Sequence, residues 1–290
     1  MRSRFRCAAL FLPLAFSLAA CGAAEEDGPV EPAGAESPEA TQSSEAPAAP
    51  ESPEDFLDLA EKAMAEEGAW TFSVKGQEGL TLQGRKSAAT YRATVRRGME
   101  PEALHSQGVS TSSKGTTKNE EIYVVDGTAH LKEGSAPWKA APTSDPEMQN
   151  KVEDAVAAIE EFREYAQAAG DEMTLTKTDG TIQLRVASDK QRLTAVRERA
   201  WVKKAQREFD PTAEQLRDAG IPVVDAQLTL SGLEEVLVLD AKTYRIKSHR
   251  FEFGFLVPYA GGRDITYEQD VRQENQGTFD GKIELPAGVR

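Results

Sequence analysis

The sequence predicts an α+β fold: one antiparallel sheet with its helices gathered on one side. Three observations predict it. Apolar residues alternate in many short runs, joined by tight turns such as Asp126-Gly127 and Asp179-Gly180. Three-and-four spacing interrupts these runs in a few places only. The order is helix, strands, long helix, hairpin, helices, strands, so the chain turns back between neighbouring strands more often than it crosses over.

The first helix is predicted from Ser52-Pro53-Glu54-Asp55. Ser52 suits the N-cap, Pro53 the first turn, and the two carboxylates the positive end of the helix dipole. Phe56, Leu57, Leu59, Ala60, Ala63 and Met64 form its apolar stripe, and Gly68 ends it. Trp70, Phe72 and Val74 then alternate with polar residues, followed by Leu80, Leu82 and residues 89–95, as expected of strands with one dry face. Residues 99–118 are Ser/Thr/Gly-rich and are expected to be a loop. Between Ile122 and Lys132, Asp126-Gly127 marks a type I′ hairpin.

Ser144-Asp145-Pro146-Glu147 opens a long helix whose stripe runs Met148, Val152, Val156, Ile159, Phe162 and Ala166, closing at Gly170. After the second Asp-Gly hairpin, residues 189–209 are expected to be helical, and Asp210-Pro211 to restart a short helix ending at Gly220. Strands are expected at Val224 to Leu230, Val236 to Leu239, Tyr244 to Phe255 and Ile265 to Val271. Apolar positions switch from even to odd near Ser248-His249, which predicts a bulge.

The N-terminus sets the address. Arg2, Arg4 and Arg6 precede an apolar run of 14 residues, Cys7 to Ala20, interrupted by Pro13. That is a secretory leader and too short for a bilayer span of roughly 20 residues. Residues 1–20 are therefore assigned to a signal peptide, 21–51 to an acidic Ala/Pro/Glu/Ser tether, and 52–290 to the folded domain. From Glu25 to Asp55 there are ten acidic residues and no basic one. Such a tract cannot bury enough apolar surface to order itself, and about thirty residues of it span about 30 Å. The net charge of −14 argues against general nucleic-acid binding, which needs Lys and Arg on phosphates. The only cysteines are Cys7 and Cys21, so the domain carries no disulfide, thiol nucleophile or thiolate metal site.

No catalytic constellation stands out. His105, His130 and His249 are isolated in sequence, and no nucleophile elbow, phosphate loop or dinucleotide fingerprint is present. The expectation is a non-catalytic protein with no metal and no cofactor. Arg197, Arg199, Lys203 and Lys204 lie in a basic segment that is a candidate contact for anionic membrane surfaces.

Leu18-Ala19-Ala20-Cys21 resembles the lipobox of bacterial lipoproteins. That resemblance implies cleavage before Cys21 and acylation of its thiol, which would anchor the chain to the extracytoplasmic face of the cell membrane. Beyond it, Glu121 to Gly127 followed by Trp138-Lys139, the stretch Val236 to Phe255, and the ending Lys282-Ile283-Glu284-Leu285-Pro286 resemble LolA-like lipoproteins of the LppX/LprG type. This second resemblance implies a curled half-barrel sheet whose concave face holds a lipid-like ligand. Trp70, Phe72, Leu82, Tyr123, Trp138, Phe251, Phe253 and Phe255 are its candidate lining. The rival expectation is a protein-interaction or envelope-sensor module with a filled core and no ligand, which a closed interior would favour.

Overall fold

The computed structural model describes residues 49–169 and 172–289. The leader, Cys21, nearly all of the tether and Gly170 lie outside the described residues.

Helix α1 (Pro53–Ala65) begins as its sequence requires. The Ser52 hydroxyl accepts from the Asp55 backbone, and the Asp55 carboxylate accepts from the Ser52 backbone, so two orphan amides are satisfied reciprocally. Strands β1 (Ala69–Leu82), β2 (Arg85–Met99), β3 (Glu102–Thr111), β4 (Thr117–Val125), β5 (Thr128–Glu133) and β6 (Lys139–Pro142) form an antiparallel meander. At the β4–β5 turn Asp126 and Gly127 both have positive φ, 50° and 72°, as a type I′ turn demands.

After helices α2 (Pro146–Val152) and α3 (Ala157–Ala169) come β7 (Met173–Lys177), β8 (Thr181–Ser188), the two-residue β9 (Gln191–Arg192), α4 (Leu193–Val196) and α5 (Ala200–Asp218). A last meander, β10 (Thr229–Asp240), β11 (Ile246–Tyr259) and β12 (Arg263–Thr278), returns to pair β12 with β1. The sheet thus runs β6-β5-β4-β3-β2-β1-β12-β11-β10-β8-β7, antiparallel throughout. Its edges, β6 and β7, do not meet. The result is the expected α+β half-barrel, a curled, unclosed sheet with helices on one side.

The predicted bulge is present. Val238 pairs with Ser248 and Leu239 with Ile246, leaving Lys247 unmatched and switching the inward parity of β11. The main core lies between helices and sheet. It joins Leu57 and Met64 of α1, Phe162 and Tyr165 of α3, and Trp201 and Phe209 of α5 to Phe72, Leu184, Leu237 and Phe255 of the sheet.

Four expectations are corrected. The loop expected at 99–118 is mostly strand: β3 occupies Glu102–Thr111 and β4 begins at Thr117, with only a short turn between them. Their inward positions include Ser106 and Gly108, too small or polar to register as an apolar alternation. The long helix is two helices. Asp154 is buried, and its Oδ1 accepts from the Val156 and Ala157 amides at 2.8 and 2.9 Å, capping α3 and breaking the run. Residues 221–228 form no strand; Asp225–Gln227 is a single 3-10 turn.

The fourth concerns Pro211, which does not restart a helix but lies inside α5. Proline has no amide hydrogen, so it leaves the Arg207 carbonyl one turn earlier without its helical donor. Asn150 supplies one: its Nδ2 donates to that carbonyl at 3.1 Å, while its Oδ1 accepts from Arg207 Nε at 3.0 Å. Helix α2 is thereby fastened to α5 where α5 is weakest. Asn150→Ala is expected to lower stability by about 1–2 kcal/mol in urea unfolding, because the carbonyl loses the side-chain donor that replaces the missing proline amide.

Candidate functional site

The helices do not close completely on the sheet. A cleft of about 340 Å³ remains between α5 and the inner faces of β1, β2, β11 and β12, with α2 at its rim. Its floor is apolar, made by Val74, Val95, Phe251 and Val271, with Gly76 between them. Register explains the gap. Gly76 stands opposite Val271 on one side and Tyr91 on the other, so the row contains a residue with no side chain. Tyr91 in turn lies across Gly108, where an added Cβ would come within 2.5 Å of the phenol oxygen. The Tyr91 hydroxyl reaches Glu120 at 3.3 Å.

One wall of the cleft is a buried ionic network. Lys204 of α5 is only 6% exposed, and its Nζ lies 2.9 Å from Glu235 Oε1 on β10 and 2.5 Å from Glu161 Oε2 on α3. Glu153 Oε2 is 3.6 Å away, and the Phe251 ring centroid 4.8 Å. Glu235 is fully buried and fully used. Its Oε1 also meets His249 Nε2 at 2.8 Å, and its Oε2 accepts from the Tyr165 hydroxyl at 3.0 Å. Burial pushes the Glu235 carboxyl up, but Lys204 and His249 outweigh it and hold it at about 2. Burial drives Lys204 down, and Glu235, Glu161 and Glu153 together raise it well above the ordinary lysine range. One ammonium cannot serve three carboxylates equally. Glu161 and Glu153 are both raised by burial despite it.

Glu161, Glu235 and His249 bring donor atoms within 4.8 Å of one another, the spacing of a metal site. The chain supplies its own cation there, since the Lys204 ammonium is bonded to two of the three. The arrangement is an internal ion-pair network joining α3 and α5 to β10 and β11.

The second wall is a quieter chain of hydrogen bonds. Glu208 Oε2 accepts from Gln269 Nε2 at 3.1 Å, Gln269 Oε1 accepts from the Tyr267 hydroxyl at 2.7 Å, and that hydroxyl lies 3.4 Å from Glu78. Burial pushes Glu208 up to about 7, and the Glu153 carboxylate adds to the shift; Gln269, Lys204 and Arg207 offset it only in part.

The structure separates the predicted site residues. Phe251 lines the cleft. Trp70, Phe72, Phe253 and Phe255 are packed into the main core, 0–2% exposed, and Leu82 packs partly buried against that core. These five are core, because helices α1 and α5 cover the face that was expected to be open. Tyr123 and Trp138 are on the other face of the sheet. Tyr123 stacks on His105 at 4.2 Å between ring centroids, and Trp138 packs against Tyr123 at 5.8 Å. Of the basic segment, Lys204 is withdrawn from any membrane surface by its burial. Arg199 is held by Glu172 at 2.6 Å, while Arg197 and Lys203 are exposed beside Glu198.

Sequence reasoning missed Gly76, Glu208, Glu235, His249, Gln269 and Gln273. A signal existed for three of them. Glu235 interrupts Leu233-x-x-x-Leu237-x-Leu239, Gln269 interrupts Ile265-x-Tyr267-x-x-x-Val271, and Gln273 takes the next inward position after it, all places where an apolar residue is the rule.

No protein-family model matches the sequence, and no curated protein matches it. Solved structures overlap it loosely. The ywiB protein of Bacillus subtilis is 6% identical, covers 73% of this chain and 97% of its own, and has a TM-score of 0.21. A DUF1329 family protein of Desulfovibrio piger is 8% identical over 79% of this chain and 93% of its own, at 0.29. A beta-barrel-like DUF1849 protein of Brucella abortus is 9% identical over 71% and 98%, at 0.25. Overlap this slight assigns neither a family nor a ligand.

Two outcomes test the site's electrostatics. Lys204→Met is expected to destabilise the protein by about 3–5 kcal/mol in chemical denaturation, because it strands the buried Glu235 charge. Glu208 acts with the opposite sign. Its folded carboxyl titrates at about 7 against 4.5 for the free side chain, so between these values the folded state holds the extra proton and stability falls as pH rises. Glu208→Gln is expected to be about 1–2 kcal/mol more stable than the natural protein at pH 8, the gap closing toward pH 4.5 in a series of melts.

Proposed function

We propose that this protein is a lipid-anchored extracytoplasmic lipoprotein that binds a small lipid-like amphiphile in the cleft beneath α5 and performs no catalysis. The supporting observation is the cleft floor, where Val74, Val95, Phe251 and Val271 leave an apolar strip uncovered beside Gly76. Ligand sites are concave, largely apolar and about 300–1,000 Å³, with a few placed polar groups. At about 340 Å³ this cleft suits one short chain and a head group, not a lipid with several acyl chains. Anchoring would come from Cys21. Among the described residues no helix is long and apolar enough to cross a membrane, and two acyl chains give stable attachment at about 0.8 kcal/mol per buried methylene.

The raised carboxyl of Glu208 favours a second reading, acid–base chemistry on the bound molecule. Its neighbours argue for binding instead. Gln269 and Tyr267 orient hydrogen bonds but supply neither a nucleophile nor a second acid poised near neutrality.

Native mass spectrometry of the full chain purified from bacterial membranes tests the proposal in one preparation. The expected spectrum shows a covalent mass increment of acyl size that Cys21→Ser removes. It also shows a stoichiometric non-covalent adduct that disappears on denaturation, extracts unaltered into organic solvent and is lost in Gly76→Leu. A bare chain that takes up no amphiphile on incubation overturns the binding reading; an adduct recovered in altered form favours catalysis.

A further inference from the structure

The polar groups around the cleft are unevenly paired. Both of its lysines are already engaged: Lys151 by Glu120 and Glu133, Lys204 by Glu235, Glu161 and Glu153. Two of its carboxylates are not matched by a cation. Glu78 and Glu208 have no ion-pair partner among the described residues, and the groups that hydrogen-bond them, Tyr267 and Gln269, are neutral.

A second, independent observation comes from Gln273. This side chain is 7% exposed and lines the cleft, and its buried Oε1 has no hydrogen-bond partner. A bare, buried amide oxygen is rare in folded proteins and calls for a donor that the chain does not provide. Its register places it opposite Val74 on β1 and His249 on β11. The His249 Nε2 is directed to Glu235 instead.

The acceptors sit along a defined strip. Going down β12, Gln273, Val271 and Gln269 face Val74, Gly76 and Glu78 of β1, pair by pair. At about 3.4 Å per residue the strip is about 14 Å long. It is apolar in the middle, where Phe251 pairs beside Val271, and rich in acceptors toward its ends. An alkyl chain of about eight carbons with a polar group at each end fits within that length.

From these observations we propose that the cleft selects a small aliphatic amine, its ammonium toward the unmatched carboxylates Glu208 and Glu78, its alkyl body along Gly76, Val271 and Phe251, and its far end at Gln273, where a second donor on the ligand would meet the bare amide oxygen. This rests on the cleft being the ligand site. A carboxylate head at the same place would face Glu78 and Glu208 with no free cation on the lining to receive it. A neutral alcohol would find acceptors but no charge complement.

Titration calorimetry with three probes of equal length, octylamine, 1-octanol and octanoate, separates the head-group inference from the cleft itself. The protein is the chain from residue 21 with Cys21→Ser, which keeps every described residue and avoids detergent. The expected result is saturable binding of one octylamine, at least tenfold tighter than octanoate, with octanol between them. Glu208→Gln, expected to fold at least as well as the natural chain, should reduce the preference for the amine severalfold. Gly76→Leu, which starts from a Cβ in ordinary contact with Tyr91 and Val271, should abolish binding of all three; its melt checks that the fold survives. Octanol or octanoate binding as tightly as octylamine would overturn the amine preference and leave the cleft as a ligand site. Octylamine bound without saturation, or unaffected by both substitutions, is adsorption to an acidic surface and overturns the inference. No binding by any probe overturns both.

Discussion

The contact between Lys204 and Glu235 is the constraint on which the other parts of the site depend. A carboxylate on a central strand with no solvent access must find positive charge, and the charge has to come from a neighbouring layer. Lys204 brings it from α5, and the same carboxylate then takes His249 from the adjacent strand and Tyr165 from α3. Two helices and two strands are thus tied at one point by partners that tolerate little displacement. A buried ion pair of this kind adds little net stability, because desolvation consumes most of the attraction, but it penalises every other packing of α3 and α5 on the sheet. The cleft lies immediately beyond the point where this network ends and the apolar seal between α5 and the sheet gives way.

That arrangement explains why an aromatic-rich sheet face does not become an open lipid bowl. Phe253 and Phe255 sit beneath Phe209 of α5, with ring centroids 4.9–5.9 Å apart around Tyr267. This layer is a packed core at one end of the helix. The opening appears only where β1 contributes glycine and where β12 contributes glutamine. Volume and polarity at the site are therefore set by three or four positions, whereas the aromatic residues mainly secure the helices.

Much of the fold was legible in the sequence because local signals agreed with the tertiary outcome. The Ser52 cap, the Asp126-Gly127 turn and the parity switch in β11 each have one cheap conformational solution, and the chain adopts it. Expectations failed where tertiary partners overrode local pattern. Asp154 ended a helix that periodicity would have continued, and Asn150 allowed another to pass through Pro211. The site was less legible than the fold. Polar residues at inward positions of β10 and β12 signalled that something other than plain core was built there. Which carboxylate would meet Lys204, and which would be left unmatched, depended on helix placement that no single stretch of sequence contains.

The pairing of β1 with β12 carries a consequence for how the protein is made. Trp70 lies opposite Thr278, and Leu80 opposite Tyr267, so the first strand synthesised waits for the last. Contacts this distant in sequence slow folding, since a long loop must close before they can form. The N-terminal meander can assemble early, but β1 keeps an unpaired edge until the C-terminal residues have been made. During that interval the chain exposes Phe72 and Val74 beside an open ladder of backbone donors and acceptors. Such an edge is a template for association with other chains. A protein built this way depends on being shielded during synthesis as well as on being stable afterwards.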